Sequence, residues 1–290
     1  MDFKGFQKKF INLKDGDIFV AKGGKGFPVL LLHGYPQNHF MWHKIAPPLA
    51  ENFTVIATDL RGYGHSFKPK GKPDHSNYSK RIMAKDQVEV MSKLGYQEFY
   101  LVGHDRGARV AHRLCLDYPE KVKKLAILDI VPTYYLYSTS DREFATAYYH
   151  WFFLIQSYPF PETLITAKSD YFLENCLKSW SRDFTAFTTD ALAEYHRCFN
   201  FDTIHGSCED YRASATIDLQ HDGEDLDRKI QCPTLALWGG KGIIGKKYDV
   251  LKIWQGRTTN IQGKALNCGH FLPEEAPAET YLLLQDFLLS

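Results

Sequence analysis

One short stretch carries residue types that could do covalent chemistry. Gly103-His104-Asp105-Arg106-Gly107 follows an apolar run, Tyr100-Leu101-Val102, and precedes a helix-like pattern beginning at Ala108. Such a frame is a sharp strand-to-helix turn, kept small on either side so that it can close; in its usual form, G-x-S-x-G, a nucleophilic serine stands at the tip. Here the tip is Asp105. A serine alkylated at a saturated carbon would end as an ether, which water cannot remove, whereas an alkylated aspartate is an ester that water opens at the carboxyl carbon. An aspartate at the tip therefore points to a saturated electrophile, an alkyl halide or an epoxide, displaced through a covalent intermediate. The alternative is that Asp105 only caps the following helix, because Asp is a favoured N-cap.

The second step of such a reaction needs a base to activate water and an acid to orient that base. Among 12 histidines, His270 stands in Cys268-Gly269-His270-Phe271, just past the last strand-like run, where a catalytic histidine serving this turn belongs. Two positions suit the orienting acid. Asp129 fills the first, at the end of the strand after the turn, and the second, after Trp238-Gly239-Gly240, offers no carboxylate until Asp249. Asp129 is the choice, its alternative being a loop or helix cap. Arg106 and Arg109 lie three apart and share one face of the first helical turn. Cations there oppose the helix dipole by ~0.3–1 kcal/mol each, so an anion between them, such as a substrate carboxylate, would reverse the sign. Pairing with Asp59 or Asp86 is the competing reading.

The elements that must position these groups alternate. A hairpin is expected from Lys9–Leu13 and Ile18–Ala21 around Asp15-Gly16, with a second turn at Gly23–Gly26. Val29–Leu32, Thr54–Ala57, Val122–Ile130, Thr234–Trp238 and Ile261–Asn267 read as further strands, and His39–Leu49, Ser79–Leu94, Ala108–Asp117 and Ala276–Leu289 as helices. This alternation implies a mostly parallel central sheet flanked by helices. From Thr133 to Asp218 the chain is rich in Tyr, Phe and Trp with helical periodicity, which reads as an inserted helical cap (133–218) between two core segments, 1–132 and 219–290.

The bulk properties exclude several classes. A formal net charge of +1 over 290 residues provides no broad field for nucleic acid or anionic membrane. No apolar run approaches the ~20 residues of a spanning helix, and the first ten residues lack a charged-then-apolar leader pattern. A cytoplasmic location is expected. The 6 cysteines show no C-x-x-C or Cys/His metal spacing and read as reduced thiols in or near the core, with no metal and no cofactor required.

Taken together the motifs resemble the fluoroacetate (haloacetate) dehalogenases of the α/β-hydrolase fold. The resemblance runs through HGYPQN at His33, DLRGYG at Asp59, GHDRGARVAHR at Gly103, LDIVPTY at Leu128, YHWFF at Tyr149, HGSCEDYRA at His205 and GHFLPEEAP at Gly269. It implies Asp105 as nucleophile, His270 as base, Asp129 as its partner, and Arg106 and Arg109 on the substrate carboxylate. It further implies that His150, Trp151 and Tyr211 donate hydrogen bonds to the departing halide and that Trp180 lines the pocket. Without it, His150-Trp151 reads as aromatic packing. Tyr35 stands where some members carry Phe, with its backbone N–H as the expected contribution.

The expected reaction opens a short 2-haloacid by Asp105 attack, followed by hydrolysis of the ester while backbone N–H groups of Tyr35 and Arg106 hold the oxyanion. The expected partners are that small-molecule haloacid and water, with neither nucleic acid nor membrane, and with a homodimer allowed. Fluoride preference and physiological substrate are not legible in these residues. The rival enzyme is an epoxide hydrolase, which shares the Asp nucleophile and uses cap tyrosines, but a neutral epoxide gives the paired arginines nothing to bind. A ligand-binding receptor with a vestigial triad is the rival from another class.

Overall fold

The computed structural model describes residues 3–290, so the first two residues of the expected core segment 1–132 lie outside it. Strand propensity and uniform burial set its centre. β3 (Pro28–Leu32, PVLLL) and β4 (Thr54–Thr58, TVIAT) are buried along their whole length, as parallel strands covered on both faces must be. With β1 (Gln7–Asn12), β2 (Asp17–Gly24), β5 (Phe99–His104), β6 (Val122–Leu128), β7 (Thr234–Gly239) and β8 (Ile261–Leu266) they form an 8-stranded sheet in the order β1-β2-β4-β3-β5-β6-β7-β8. The β1–β2 hairpin joins antiparallel, as does β2 with β4, and every pair from β4 through β8 is parallel. The chain steps from β3 to β4 on one side and then crosses to β5 on the other. That reversal opens a crevice at the carboxyl ends of β3 and β5, the place where open α/β sheets bind ligands.

The strand-to-helix turn sits in that crevice. β5 ends at His104, Asp105 takes φ 45° and ψ −113°, and the helix Arg106–Asp117 starts at once. A side chain at Gly107 would put its Cβ 2.4 Å from the carbonyl oxygen of Leu32, so the helix can cross β3 this closely only with glycine.

Between the adjacent strands β6 and β7 the chain leaves the sheet and runs through helices from Thr133 to Glu224. Their starts carry the expected chemistry: Asp141, Thr188 and Asn200 each accept an N–H of the helix that follows. The insertion reaches the sheet through the helix Phe201–Ala215, buried almost throughout from Thr203 to Ser214. Among the described residues no helix is long and apolar enough to cross a membrane. All six cysteines are free, and all but Cys232 are buried.

One predicted helix is corrected. His39–Leu49 forms a 3-10 turn, His39–Trp42, capped by the Asn38 side chain, and then only a four-residue helix, Ala46–Leu49. Pro47 and Pro48 lack backbone N–H groups and fit only the first turn of a helix, which restarts the segment there. Asp249, passed over as the orienting acid, caps the helix Val250–Gln255 through the N–H of Lys252.

Candidate active site

Four strand ends meet over the crevice. Asp105 follows β5, Asp129 follows β6 in a positive-φ conformation (55°), His270 lies four residues past β8, and Gly34-Tyr35 follow β3. The Nδ1 of His270 donates to Oδ2 of Asp129 at 2.5 Å, and the other carboxylate oxygen accepts the N–H of Gly239 at 2.8 Å. Because Asp129 fixes the proton on Nδ1, the lone pair of Nε2 faces Oδ2 of Asp105, 4.0 Å away. That distance is too long for a direct hydrogen bond between the two side chains. The backbone N–H of Tyr35 donates to Oδ1 of Asp105 at 2.9 Å. The close approach depends on Gly34, where an added Cβ would lie 2.5 Å from the Cβ of Asp105.

The charges around Asp105 settle its state. Burial opposes ionisation, but His270, Arg109 and Arg106 outweigh it and hold the carboxyl at about 2. His270 is shifted the other way. Burial alone would lower its pKa, and the hydrogen bond and charge of Asp129, with that of Asp105, raise it above the ordinary value.

The two arginines differ in kind. Arg106 is wholly buried and forks onto Asp210 of the insertion, with Nε–Oδ2 at 2.7 Å and Nη2–Oδ1 at 2.9 Å, while its Nη1 is buried without a partner. Arg109 donates through Nη1 only to neutral oxygens, Val131 O at 3.1 Å and Thr133 Oγ1 at 3.0 Å, and its buried Nε has no partner. Burial lowers the Arg109 pKa against the attraction of Asp105. Neither pairs with Asp59 or Asp86: Asp59 accepts from the His39 ring and the His65 N–H, and Asp86 holds Arg61. Two donors of buried cations therefore stand unmatched near Asp105, on whose carboxylate both arginines act.

Rings from the insertion close the site. His150 lies 4.3 Å from Trp180 and 5.6 Å from Tyr211 between ring centroids, and Tyr35 stacks over His150 at 6.1 Å. The Arg109 guanidinium lies 4.6 Å over the Trp151 ring, and that of Arg106 lies 4.0 Å over Tyr211. The indole N–H of Trp151 and Nδ1 of His150 are both buried with no partner. Burial drives His150 down to about 3, so its ring is neutral near pH 7. Outside this enclosure a cleft of about 640 Å³ opens between insertion and sheet, reaching His270, Tyr148 and Trp180.

A family model described as the alpha/beta hydrolase fold matches residues 28–277, most of the chain. The chain belongs to the α/β-hydrolase family. A fluoroacetate dehalogenase of Burkholderia sp is 46% identical over 288 residues, covering 99% of this hydrolase and 95% of that protein. A soluble epoxide hydrolase of Corynebacterium sp. (strain C12) is 35% identical, covering 88% and 87%. A solved structure of a Pseudomonas aeruginosa variant called an epoxide hydrolase, with bound MFA, superposes with a TM-score of 0.93 at 39% identity, covering 100% and 97%. This chain is thus an α/β hydrolase related to both fluoroacetate dehalogenase and epoxide hydrolases.

Asp105, Asp129, His270, Arg106, Arg109, Tyr35, His150, Trp151, Trp180 and Tyr211 gather at the crevice or its cleft, whereas Asp59, Asp86 and Asp249 are engaged elsewhere. Sequence reasoning missed three contributors. Asp210 anchors Arg106 and also pairs with Lys80 and the hydroxyl of Tyr63; its position beside Tyr211 was the available signal. Tyr148, one of the many tyrosines of the insertion with nothing in its local sequence to mark it, brings its hydroxyl within 3.4 Å of His270 Nδ1. His104, at the turn itself, bonds the carbonyl of His270 through Nε2 at 2.7 Å, while the His270 N–H donates to Trp180 O at 2.9 Å. Two donor clusters away from the turn, His65/Glu194/Cys198 and Glu162/His205/Glu209, have the spacing of metal ligands. Arg197 and Arg212 bind their carboxylates.

Proposed function

We propose that this hydrolase converts a short 2-haloacid, a haloacetate in the simplest case, to the 2-hydroxy acid and halide. The observation that carries the reading is the unmatched cation: Arg109 meets only neutral oxygens, and its Nε and the Nη1 of Arg106 are buried without partners next to Asp105. A substrate carboxylate supplies the anion they lack, and it lies one carbon from the halide. An epoxide supplies no charge, which weighs against the rival despite the 35% identity to an epoxide hydrolase.

In the first step Oδ2 of Asp105, the oxygen facing His270, displaces halide from the α-carbon with inversion. His150, Trp151 and Tyr211 donate to the leaving halide, replacing hydration that fluoride gives up at high cost. In the second step His270 takes a proton from water as it adds to the Asp105 carboxyl carbon, and Oδ1 becomes the oxyanion held by the Tyr35 N–H, with the Arg106 N–H as the expected second donor. Collapse, with the His270 proton returned to Oδ2, releases the hydroxy acid with Oδ2 as its new oxygen, and the water oxygen remains on Asp105. Alkylation also removes the Asp105 charge, one cause of the raised His270 pKa, so the base is freed when it is needed.

A substrate panel tests this: the wild type should release halide from fluoroacetate or chloroacetate and leave styrene oxide unopened. Arg109→Ala should lower kcat/KM on haloacetates by about 100-fold or more. A loss under about threefold, less than ~1 kcal/mol of transition-state binding, would make the carboxylate clamp wrong.

A further inference from the structure

Three cations line the cleft that leads to His270. Arg182 comes from the loop after the insertion helix Ser169–Trp180, and Lys241 and Lys246 come from the segment after β7; all three are exposed, and no Asp or Glu lines the cleft. Among the described residues none of the three is held in an ion pair. The neighbouring carboxylates have donors other than these three side chains. Asp141 and Glu143 hold Lys247 at 2.6 and 3.2 Å, Asp183 accepts from Thr185 at 2.9 and 2.6 Å, and Glu275 takes the N–H groups of Arg182, Gly269 and Phe271. The inner wall is Tyr148, Trp180 and His270, whereas Asp105 and the arginines lie beyond the rings.

We propose that this cleft is an anion-concentrating entry path, in which Arg182, Lys241 and Lys246 draw small carboxylates to the ring wall before they reach Arg109. Low-dielectric walls focus the field of like charges, and cations lining one cleft act together on a small anion at low ionic strength. Cap and sheet contribute jointly, so the path exists only with the insertion seated. The substrate class rests on the dehalogenase reading; the attraction of anions does not.

Trp180, in the wall, reports on the path without turnover. The triple variant Arg182→Gln, Lys241→Gln, Lys246→Gln and the single variant Lys241→Glu are compared with wild type by quenching with iodide and with neutral acrylamide at fixed low ionic strength. The Trp180 part of the signal is the part lost in Trp180→Phe. Iodide quenching of that part should fall about threefold in the triple variant and measurably in the single one, with acrylamide unchanged and the difference gone near 1 M salt. In parallel kcat/KM for a haloacetate should fall about fivefold at low salt, with kcat within twofold. Iodide quenching equal to wild type in both variants would overturn the path, as would equal losses for iodide and acrylamide. A wild type inert on haloacetates would refute the dehalogenase reading alone, and the quenching would still decide the path.

Discussion

At the scale of single residues, the chemistry is a matter of which buried polar atoms lack partners. The orphaned indole N–H of Trp151 is an expense the fold tolerates, since an unmet buried donor costs about 1–3 kcal/mol. Trp151→Phe keeps an aromatic ring at the site and removes that donor together with part of the indole's bulk, a packing loss that both haloacetates share. Its kcat should fall about 100-fold on fluoroacetate and clearly less on bromoacetate, because the better leaving group asks less of the donor; equal losses on both would deny the halide role. Asp105 and His270 also titrate apart. In the ester state Asp129 still favours the protonated His270 while the Asp105 charge is gone, so falling pH protonates the base and slows ester hydrolysis, whereas in the free enzyme Asp105 stays ionised, and able to attack, down to about 2. Rapid-quench mass measurements on wild type should therefore find more alkylated enzyme at mildly acidic than at alkaline pH. Isotope placement follows from which oxygen attacks: a single turnover in H₂¹⁸O should label Asp105 and leave the product unlabelled, with label reaching product only on later turnovers.

At the scale of elements, legibility tracked locality. The turn around Asp105 was readable because its strand, tip and glycines are contiguous, and central strands such as β3 were readable from an unbroken apolar run, Val29–Leu32. His270 and Asp129 were readable once the strands were, since each follows one. His150 and Trp151 were not: they sit in a helix of four residues, His150–Phe153, whose aromatic pattern is that of packing, and only the likeness to a family gave them a role. Arg106 was half readable. Its helix face predicted an anion, but its main partner, Asp210, is 104 residues away, and no spacing rule reaches that far. The turn makes its own prediction. Gly107→Ala forces a Cβ to 2.4 Å from the Leu32 carbonyl oxygen and must push the helix off β3. Activity should be lost even where circular dichroism shows the secondary structure intact, and wild-type rates in that variant would deny the close crossing.

At the scale of the whole molecule, the site belongs to neither layer alone. The sheet positions Asp105, His270 and Asp129; the insertion brings the rings of His150, Trp151 and Tyr211; and buried charge joins them through Asp210, which binds both Arg106 and Lys80. Breaking one side of such a buried pair leaves an uncompensated cation. Asp210→Ala should lower unfolding free energy by about 3–5 kcal/mol, measured by denaturant titration, and a change under about 1 kcal/mol would mean that the joint contributes little. The proposed reaction is covalent: Asp105 carries the substrate carbon as an ester until His270 activates water. His270→Asn, mixed with chloroacetate or fluoroacetate and weighed intact, should gain the mass of one carboxymethyl group, located on Asp105 by peptide mapping and absent when Asp105 is also changed to Asn. No adduct from either haloacid, or an adduct formed only with styrene oxide, would contradict it.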